Sequence, residues 1–414
     1  MTVALLKYYE RNQQKSQTKF MKTGYSIRTW RMRLVCPEPI WLDRTEEYFQ
    51  NVVEFYYHLL RQHEELWNSS LFDTQRSLEL LTLAGRDGRQ PTNPLPMGKV
   101  PVYLRRAAIN KASATVKSTQ ELQSGFPEKL EAKVTFFKGM YSDLTDRSIC
   151  LKLWNGEKWI WTDCNLKGRS FPQDGQLMSP TLVKEGRRYL LNIPVKQENS
   201  DARTAKERMA EGTNLCSVRF TNTDTFAVCC ILDEQGKQLA VHTCRGGDAY
   251  RHRCKLLETR IQKSRPNTVG DNSSQPNRKY YMHLKNLSEH YAHQVSREIL
   301  NFCKENQAGI IVLPDYDQNF TRMSMVKSGN FSPLHLSSKI RTNLQYKAWA
   351  EGILVLETRT DGLKDKCAIC GGKVRRKGNE FLCENGHQGN RFLNDARNLG
   401  RKCQDSFFRR NRTK

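Results

Sequence analysis

Acidic residues are in short supply: 43 Asp and Glu face 67 Lys and Arg, leaving +24 on 414 residues. An excess of that size, dispersed along the chain, makes a polyanion the first partner to consider. Long apolar runs are also missing. The longest, FAVCCIL at 226–232, is far short of the roughly 20 residues that span a bilayer, so no membrane partner is expected. No basic segment followed by an apolar one opens the sequence, and no secretory signal is expected. There is no Gly-rich phosphate loop, no G-x-S-x-G elbow and no convincing Cys–His nucleophile, which removes several common chemistries. Thirteen cysteines, an odd number in a long chain, do not suggest a disulfide framework; a reducing cytoplasm is expected, with some thiols free for metal.

What is present argues for folded domains. Hydrophobic residues make up 38% and aromatics 9%, enough to build cores, and the length predicts two or three domains. Residues 1–24 are polar and basic and read as an N-terminal arm. SIRTWRMRL, from Ser26 to Leu34, alternates as a strand that Pro37 and Pro39 end. Phe49, Val52, Val53, Tyr56, Leu59 and Leu60 recur at helical spacing, with Thr45 as the expected N-cap. LRRAAINKASATVKS predicts a second helix. Residues 132–196 alternate with a short period and predict a small antiparallel β-domain of barrel type. Residues 197–212 read as a polar linker or a helix joining domains. Beyond them come strands with a hairpin at Glu234, Gln235 and Gly236, a basic helix, and then helix–strand units ending in GIIVLP and ILVLET. That order fits an α/β core of the RNase H-like kind.

One motif carries specific chemistry. Cys367-x2-Cys370 is followed by Cys383-x3-His387, with Gly371, Gly372 and Gly386 nearby. Two short-spaced ligand pairs are what tetrahedral Zn²⁺ requires, and a closed site of this kind is structural rather than catalytic. His290 and His293 share a helix but lack a third ligand and are read as ordinary histidines. Basic clusters are the candidate nucleic-acid contacts: Arg28, Arg31 and Arg33 in the first strand; Arg105, Arg106 and Lys111 in the alanine-rich helix; Arg251, Arg253 and Lys255 after the first hairpin; Arg397 and Arg401 near the C-terminus. Taken singly, each is as consistent with a solvated face.

Several segments together resemble a family. ILVLETRTDGLKDKCAICGG, the Cys/His ribbon and then NDARNLGR look like the end of TnpB, a transposon-encoded RNA-guided nuclease, and of the compact type V CRISPR effectors related to it. VPVYLRRAAINKASATVKS resembles the family's recognition-lobe helix, and SPTLVKEGRRYLLNIPV its wedge-domain strands. SVRFTNTDTFAVCCILDEQGK and AGIIVLPDYD sit where the strands of its RuvC nuclease domain belong. The likeness spans roughly residues 25–402. It implies an α+β multidomain chain: a wedge-like β-domain (25–44 and 132–196), a helical recognition domain (45–131), a linker (197–212), a RuvC-like domain (213–360 and 388–402), a zinc ribbon (361–387) and a basic tail (403–414).

The chain departs from the family where its chemistry resides. RuvC nucleases clamp two metal ions with three carboxylates. In register with the family, those positions fall on Arg219, Pro314 and Phe392, none of which offers a side-chain carboxylate. No Mg²⁺ is expected at such a site, because arginine repels the ion and the other two side chains supply no oxygen. Asp224, Asp315 and Asp395 lie nearby in sequence, and only Asp395 falls on a similar face. The resemblance therefore implies a guide RNA and a double-stranded DNA target, bound by a cytoplasmic, nucleoid-associated prokaryotic protein that does not cut. It would block transcription or recruit a transcription or transposition partner. Two alternatives stay open: an active guide-dependent nuclease with rearranged carboxylates, and a zinc-ribbon protein that binds nucleic acid without a guide.

Overall fold

The computed structural model describes residues 24–409 apart from 86, 123, 173, 265–276 and 317–331. The expected basic arm, save Gly24, lies outside the described residues. The chain is a mixed α+β protein that divides into two compact units, one of residues 27–197 and one formed mainly by residues 198–414.

In the first unit, β1 (Tyr25–Val35) leads into α1 (Pro39–Gln62). Pro39 opens this helix rather than merely ending the strand, since its fixed φ and missing N–H suit a first helical position. Thr45 is consequently not an N-cap but a buried mid-helix residue. Its hydroxyl donates to Trp41 O at 2.6 Å and accepts from Trp154 N at 2.9 Å. Helices α2 (Leu71–Thr82), capped by Ser70, and α3 (Val102–Leu122) follow. Strands β2 (Tyr141–Ser142), β3 (Ser148–Trp154), β4 (Trp159–Lys167), β5 (Gln176–Leu177), β6 (Thr181–Glu185) and β7 (Arg188–Glu198) join β1 in one sheet. Its order is β2-β3-β4-β1-β7-β5, with β6 also on β7, and no described pairing closes the expected barrel. Phe49, Val53, Tyr56, Leu104, Ile109, Phe136 and Leu151 are among the residues of one continuous core under this sheet and the helices.

The second unit opens with α4 (Ala205–Ala210), held by a Thr204–Glu207 capping box. The segment 197–212, read as a polar linker or a joining helix, contains a short helix that packs into the second unit. Arg208 is fully buried there and donates to the carbonyls of Asp201, Gly309 and Gly352 at 2.6–2.7 Å. Strands β8 (Leu215–Phe220), β9 (Thr225–Leu232) and β10 (Gln238–Arg245) form an antiparallel meander. After α5 (Gly247–Lys263) and α6 (Arg278–Glu305), β11 (Ile310–Asp315) pairs parallel with β8. Helix α7 (Ser337–Trp349) then leads to β12 (Leu354–Arg359), parallel to β11. The sheet order is β10-β9-β8-β11-β12.

Alternation along these strands builds two cores, one on each face. Cys216, Val218, Ile311 and Leu313 pack with residues of α5, α6 and α7. Leu215, Ile310 and Val312 pack on the other face with Met209 of α4 and with Ala396, Leu399 and Cys403 of the last helix. That helix, α8 (Arg391–Arg409), follows a small sheet of β13 (Val374–Lys377), β14 (Glu380–Cys383) and β15 (Gln388–Asn390). It lies so close to β8 and β9 that a Cβ on Gly400 would fall 2.5 Å from Leu232 Cδ1. Of the segment expected to be a basic tail (403–414), residues 403–409 are the end of this helix, where Cys403 and Gln404 are buried, and 410–414 lie outside the described residues.

Candidate functional site

Strand register decides what meets at the C-terminal ends of β8 and β11. Arg219 shares the α8-facing side of β8 with Leu215, and Pro314 shares that side of β11 with Ile310 and Val312. Both line a cleft with Lys364, Leu363 and Leu399, and the acid that joins them is Asp395. Phe392, the position reached by sequence register, is not in this cleft. Asn390 caps the helix, accepting from Phe392 N at 2.8 Å and Leu393 N at 3.1 Å. Phe392 therefore occupies the first turn, and Asp395 lies nearly one turn further along toward the strand ends.

Asp395 is buried and its carboxylate is fully engaged. Arg219 Nε lies 3.3 Å from Oδ2, and Arg376 of β13 donates to both carboxylate oxygens. Arg219 is further fixed by a 3.0 Å hydrogen bond to Tyr316 Oη, with its guanidinium over that ring. The cleft is closed by its own side chains, too tight for a water molecule. Other acids in the region face elsewhere. Asp315 is exposed on the strand side opposite Pro314. Glu357 pairs with Arg341 Nε at 3.4 Å; burial pushes its carboxyl upward while Arg341 opposes the shift. Asp224 is exposed in the β8–β9 turn.

The Cys/His cluster is assembled as its spacing predicts. The ligand atoms of Cys367, Cys370, Cys383 and His387 all lie within 4.8 Å of one another. Each knuckle is a tight turn closed by a backbone bond, Gly371 N to Cys367 O at 2.8 Å and Gly386 N to Cys383 O at 3.0 Å. Both glycines take positive φ, 77° and 83°, which a side chain would resist. Amide groups point at the sulfurs: Ile369 N at Cys367 Sγ, Asn385 N at Cys383 Sγ, both 3.4 Å, and Asn385 Nδ2 at Cys370 Sγ, 3.3 Å. The Asn385 side chain, the Gly372 backbone and the Cys383 thiol lower Cys370 to about 6. His387 Nδ1 is buried without a hydrogen-bond partner among the described residues. Three thiols with donors aimed at their sulfurs and one such imidazole fit a tetrahedral metal ion, which would act by folding the hairpin. Helix α8 grips the first knuckle through Asn394 Oδ1, which accepts from Ala368 N at 2.8 Å, and Asn398 Nδ2, which donates to Lys366 O at 2.8 Å.

The basic candidates separate into two groups. Arg31, Arg33, Lys111, Arg253 and Lys255 are exposed, Arg31 beside Glu185. Arg28, Arg251 and Arg397 are half-buried, and Arg251 donates to Thr223 O at 3.1 Å. Arg105 is not a free contact. It is buried, 3.0 Å from Glu79, which also holds the more exposed Arg106 at 3.3 Å. Arg401 likewise serves the fold, donating to Gly236 O at 2.9 Å and to Ala368 O. His290 and His293 gather no metal cluster among the described residues, and Glu289 pairs with Lys339 at 2.7 Å. Sequence reasoning missed Arg376, whose role depends on the ribbon folding back onto α8.

A family model described as the Aq_aa04 family matches residues 26–155. Among curated proteins no sequence relative matches. Solved structures are more informative. The chain is similar to a Cas12f1–sgRNA–target DNA complex at 11% identity, over 87% of this chain and 81% of that one, with a TM-score of 0.55. It is also similar to the mini-RNA-guided endonuclease CRISPR-Cas_phi3 at 10% identity, over 94% and 96%, with a TM-score of 0.52. The fold is similar to that of compact type V CRISPR effectors. Within it, the cleft at the ends of β8 and β11 holds two arginines on one aspartate. No described helix is long and apolar enough to cross a membrane.

Proposed function

We propose that this protein binds a guide RNA and uses it to engage double-stranded DNA without cleaving it. In this reading the second unit is a RuvC-like domain with an inserted zinc ribbon, and the first unit supplies wedge-like and recognition parts. The type V fold, the +24 charge and the exposed Arg33, Lys111, Arg253 and Lys255 support guided binding, in which base pairing reads sequence and protein grips the duplex by charge and shape. One observation carries the absence of cleavage. Asp395, the sole acid among the described residues that line the cleft, is neutralised by Arg219 and Arg376. Hydrolysis by paired metal ions needs several converging carboxylates, and guanidinium groups in their place repel the cations. Asp315 and Glu357 do not converge on Asp395, which disfavours rearranged catalysis. Bound to a promoter, such a complex would block transcription or recruit a partner protein.

The deciding experiment is to purify the full chain with its native nucleic acid and sequence what it carries. A discrete RNA with a constant scaffold and a variable end, directing Mg²⁺-independent binding of matching DNA without cuts, is the expected result. Mg²⁺-dependent cleavage of the matched target would overturn the inactive assignment. Heterogeneous RNA, or none, would overturn guidance itself.

A further inference from the structure

A second group of metal-binding side chains lies away from both the ribbon and the Asp395 cleft. His242 and Cys244 are two residues apart on β10, so their side chains share one sheet face. Helix α6 packs over that face and brings Glu298 onto them. One donor atom from each residue lies within 4.8 Å of the other two. His242 Nε2 and Glu298 Oε1 are 2.6 Å apart, and the His242 ring rests against Phe302 with centroids 5.2 Å apart. Cys229 of β9 stands directly across from His242 in the strand register.

We propose that His242, Cys244 and Glu298 form a second metal site that takes a divalent ion of the zinc class. The donor set selects the ion. One imidazole nitrogen, one sulfur and one carboxylate oxygen are each zinc ligands, whereas Mg²⁺ and Ca²⁺ avoid thiolate. Binding removes the proton from the Cys244 thiol and displaces the hydrogen bond between His242 and Glu298, releasing one proton to solvent from the cysteine. Three protein ligands leave a fourth tetrahedral position for water. The gradient of exposure supplies its direction: Cys244 is fully buried, while the His242 and Glu298 side chains are 35% and 32% exposed. An ion entering from that side meets histidine and carboxylate first and the thiol last.

The position gives the site a structural purpose. β10 is the edge of the five-stranded sheet, hydrogen-bonded to β9 on one side alone. A metal bridging β10 to α6 would hold that edge against the helix by coordination bonds in addition to packing. By contrast, Glu289 and His293, farther up the same helix, are engaged by Lys339 and Tyr346.

The test uses the full chain saturated with Zn²⁺, freed of excess ion by gel filtration and assayed by inductively coupled plasma mass spectrometry. The wild type should carry zinc at the ribbon and a second equivalent here. His242→Gln and Glu298→Gln, at partly exposed positions that tolerate a neutral polar side chain, should each lose one equivalent and keep the other. Cys367→Ser with Cys370→Ser should lose the ribbon equivalent only. As a second readout, a variant with Cys367, Cys370 and Cys383 all changed to serine should still give a thiolate-to-metal charge-transfer band with Co²⁺, and Cys244→Ala in that background should abolish it. A single zinc equivalent in the wild type, unchanged in His242→Gln and lost in the ribbon variant, would overturn the proposal, as would absence of the cobalt band.

Discussion

Arg219 Nε lies 3.3 Å from Asp395 Oδ2, where the end of a central strand meets the last helix. The pair links an element of the sheet to the first turns of α8, and Arg376 extends it to the ribbon hairpin. Three separate pieces of the second unit therefore depend on one buried carboxylate. Removing it leaves two guanidinium groups without their counter-charge, and a broken buried pair of this kind costs about 3 kcal/mol. Asp395→Asn should lower stability by that order, measurable as a shift in the urea midpoint. A midpoint unchanged from wild type would show that the two arginines are satisfied by water.

Exchanging the cation for acids tests why the cleft excludes metal. Arg219→Asp with Pro314→Glu places two carboxylates beside Asp395, and three acids are tolerable only if a cation joins them. The double variant should gain a melting-temperature increase with Mn²⁺ or Mg²⁺ that the wild type lacks. Equal response of both proteins would mean that Arg219 is not the barrier.

The ribbon should fail locally. Cys367→Ser with Cys370→Ser removes half the candidate metal ligands of a hairpin whose own core is Cys367, Phe381, Cys383 and partly buried Val374. Amide exchange should accelerate across residues 366–390 while strands β8, β9 and β11 keep their protection. Uniform acceleration throughout the second unit would contradict this independence.

Arg208 is a more severe dependency. Arg208→Met keeps most of the side-chain volume but strips donors from the carbonyls of Asp201, ahead of α4, and of Gly309 and Gly352, just ahead of β11 and β12. Buried acceptors without donors cost roughly 1–3 kcal/mol each when water cannot reach them. A loss of about 3 kcal/mol is expected in denaturant titration, and a change below about 1 kcal/mol would show that water replaces the guanidinium.

Asp201 supplies a pH dependence. The Arg203 side chain, aided by its backbone amide and by Arg208, lowers Asp201 to about 2. In the unfolded chain the group titrates near its ordinary value, so between the two the unfolded state holds the extra proton and stability rises with pH. The contribution is full above about pH 4 and fades as pH falls toward 2. Asp201→Asn should flatten the acid limb of a stability–pH curve in that window. An identical curve for the variant would remove the assignment.

Some of this protein was legible without coordinates because the signals are local. The spacing anticipated that Cys367, Cys370, Cys383 and His387 converge, since two short-range pairs need only tight turns to meet. The alternation in SVRF and AGIIVLP correctly set Asp315 on the face opposite Pro314, because side-chain direction along a strand has a period of two. Other features had no local signature. Placement of Asp395 rather than Phe392 at the strand ends depended on where Asn390 starts α8, and register along a helix is lost with a three-residue error. Arg105 and Arg401 read as nucleic-acid contacts in sequence and Arg208 lay in a segment read as a polar linker or joining helix, but each is consumed by acceptors brought from other segments. His242 and Cys244 gave no metal signal until α6 delivered Glu298. Periodicity and short spacings are properties of neighbours along the chain; the satisfaction of a charge or the completion of a site depends on which remote segments tertiary packing brings within bonding distance.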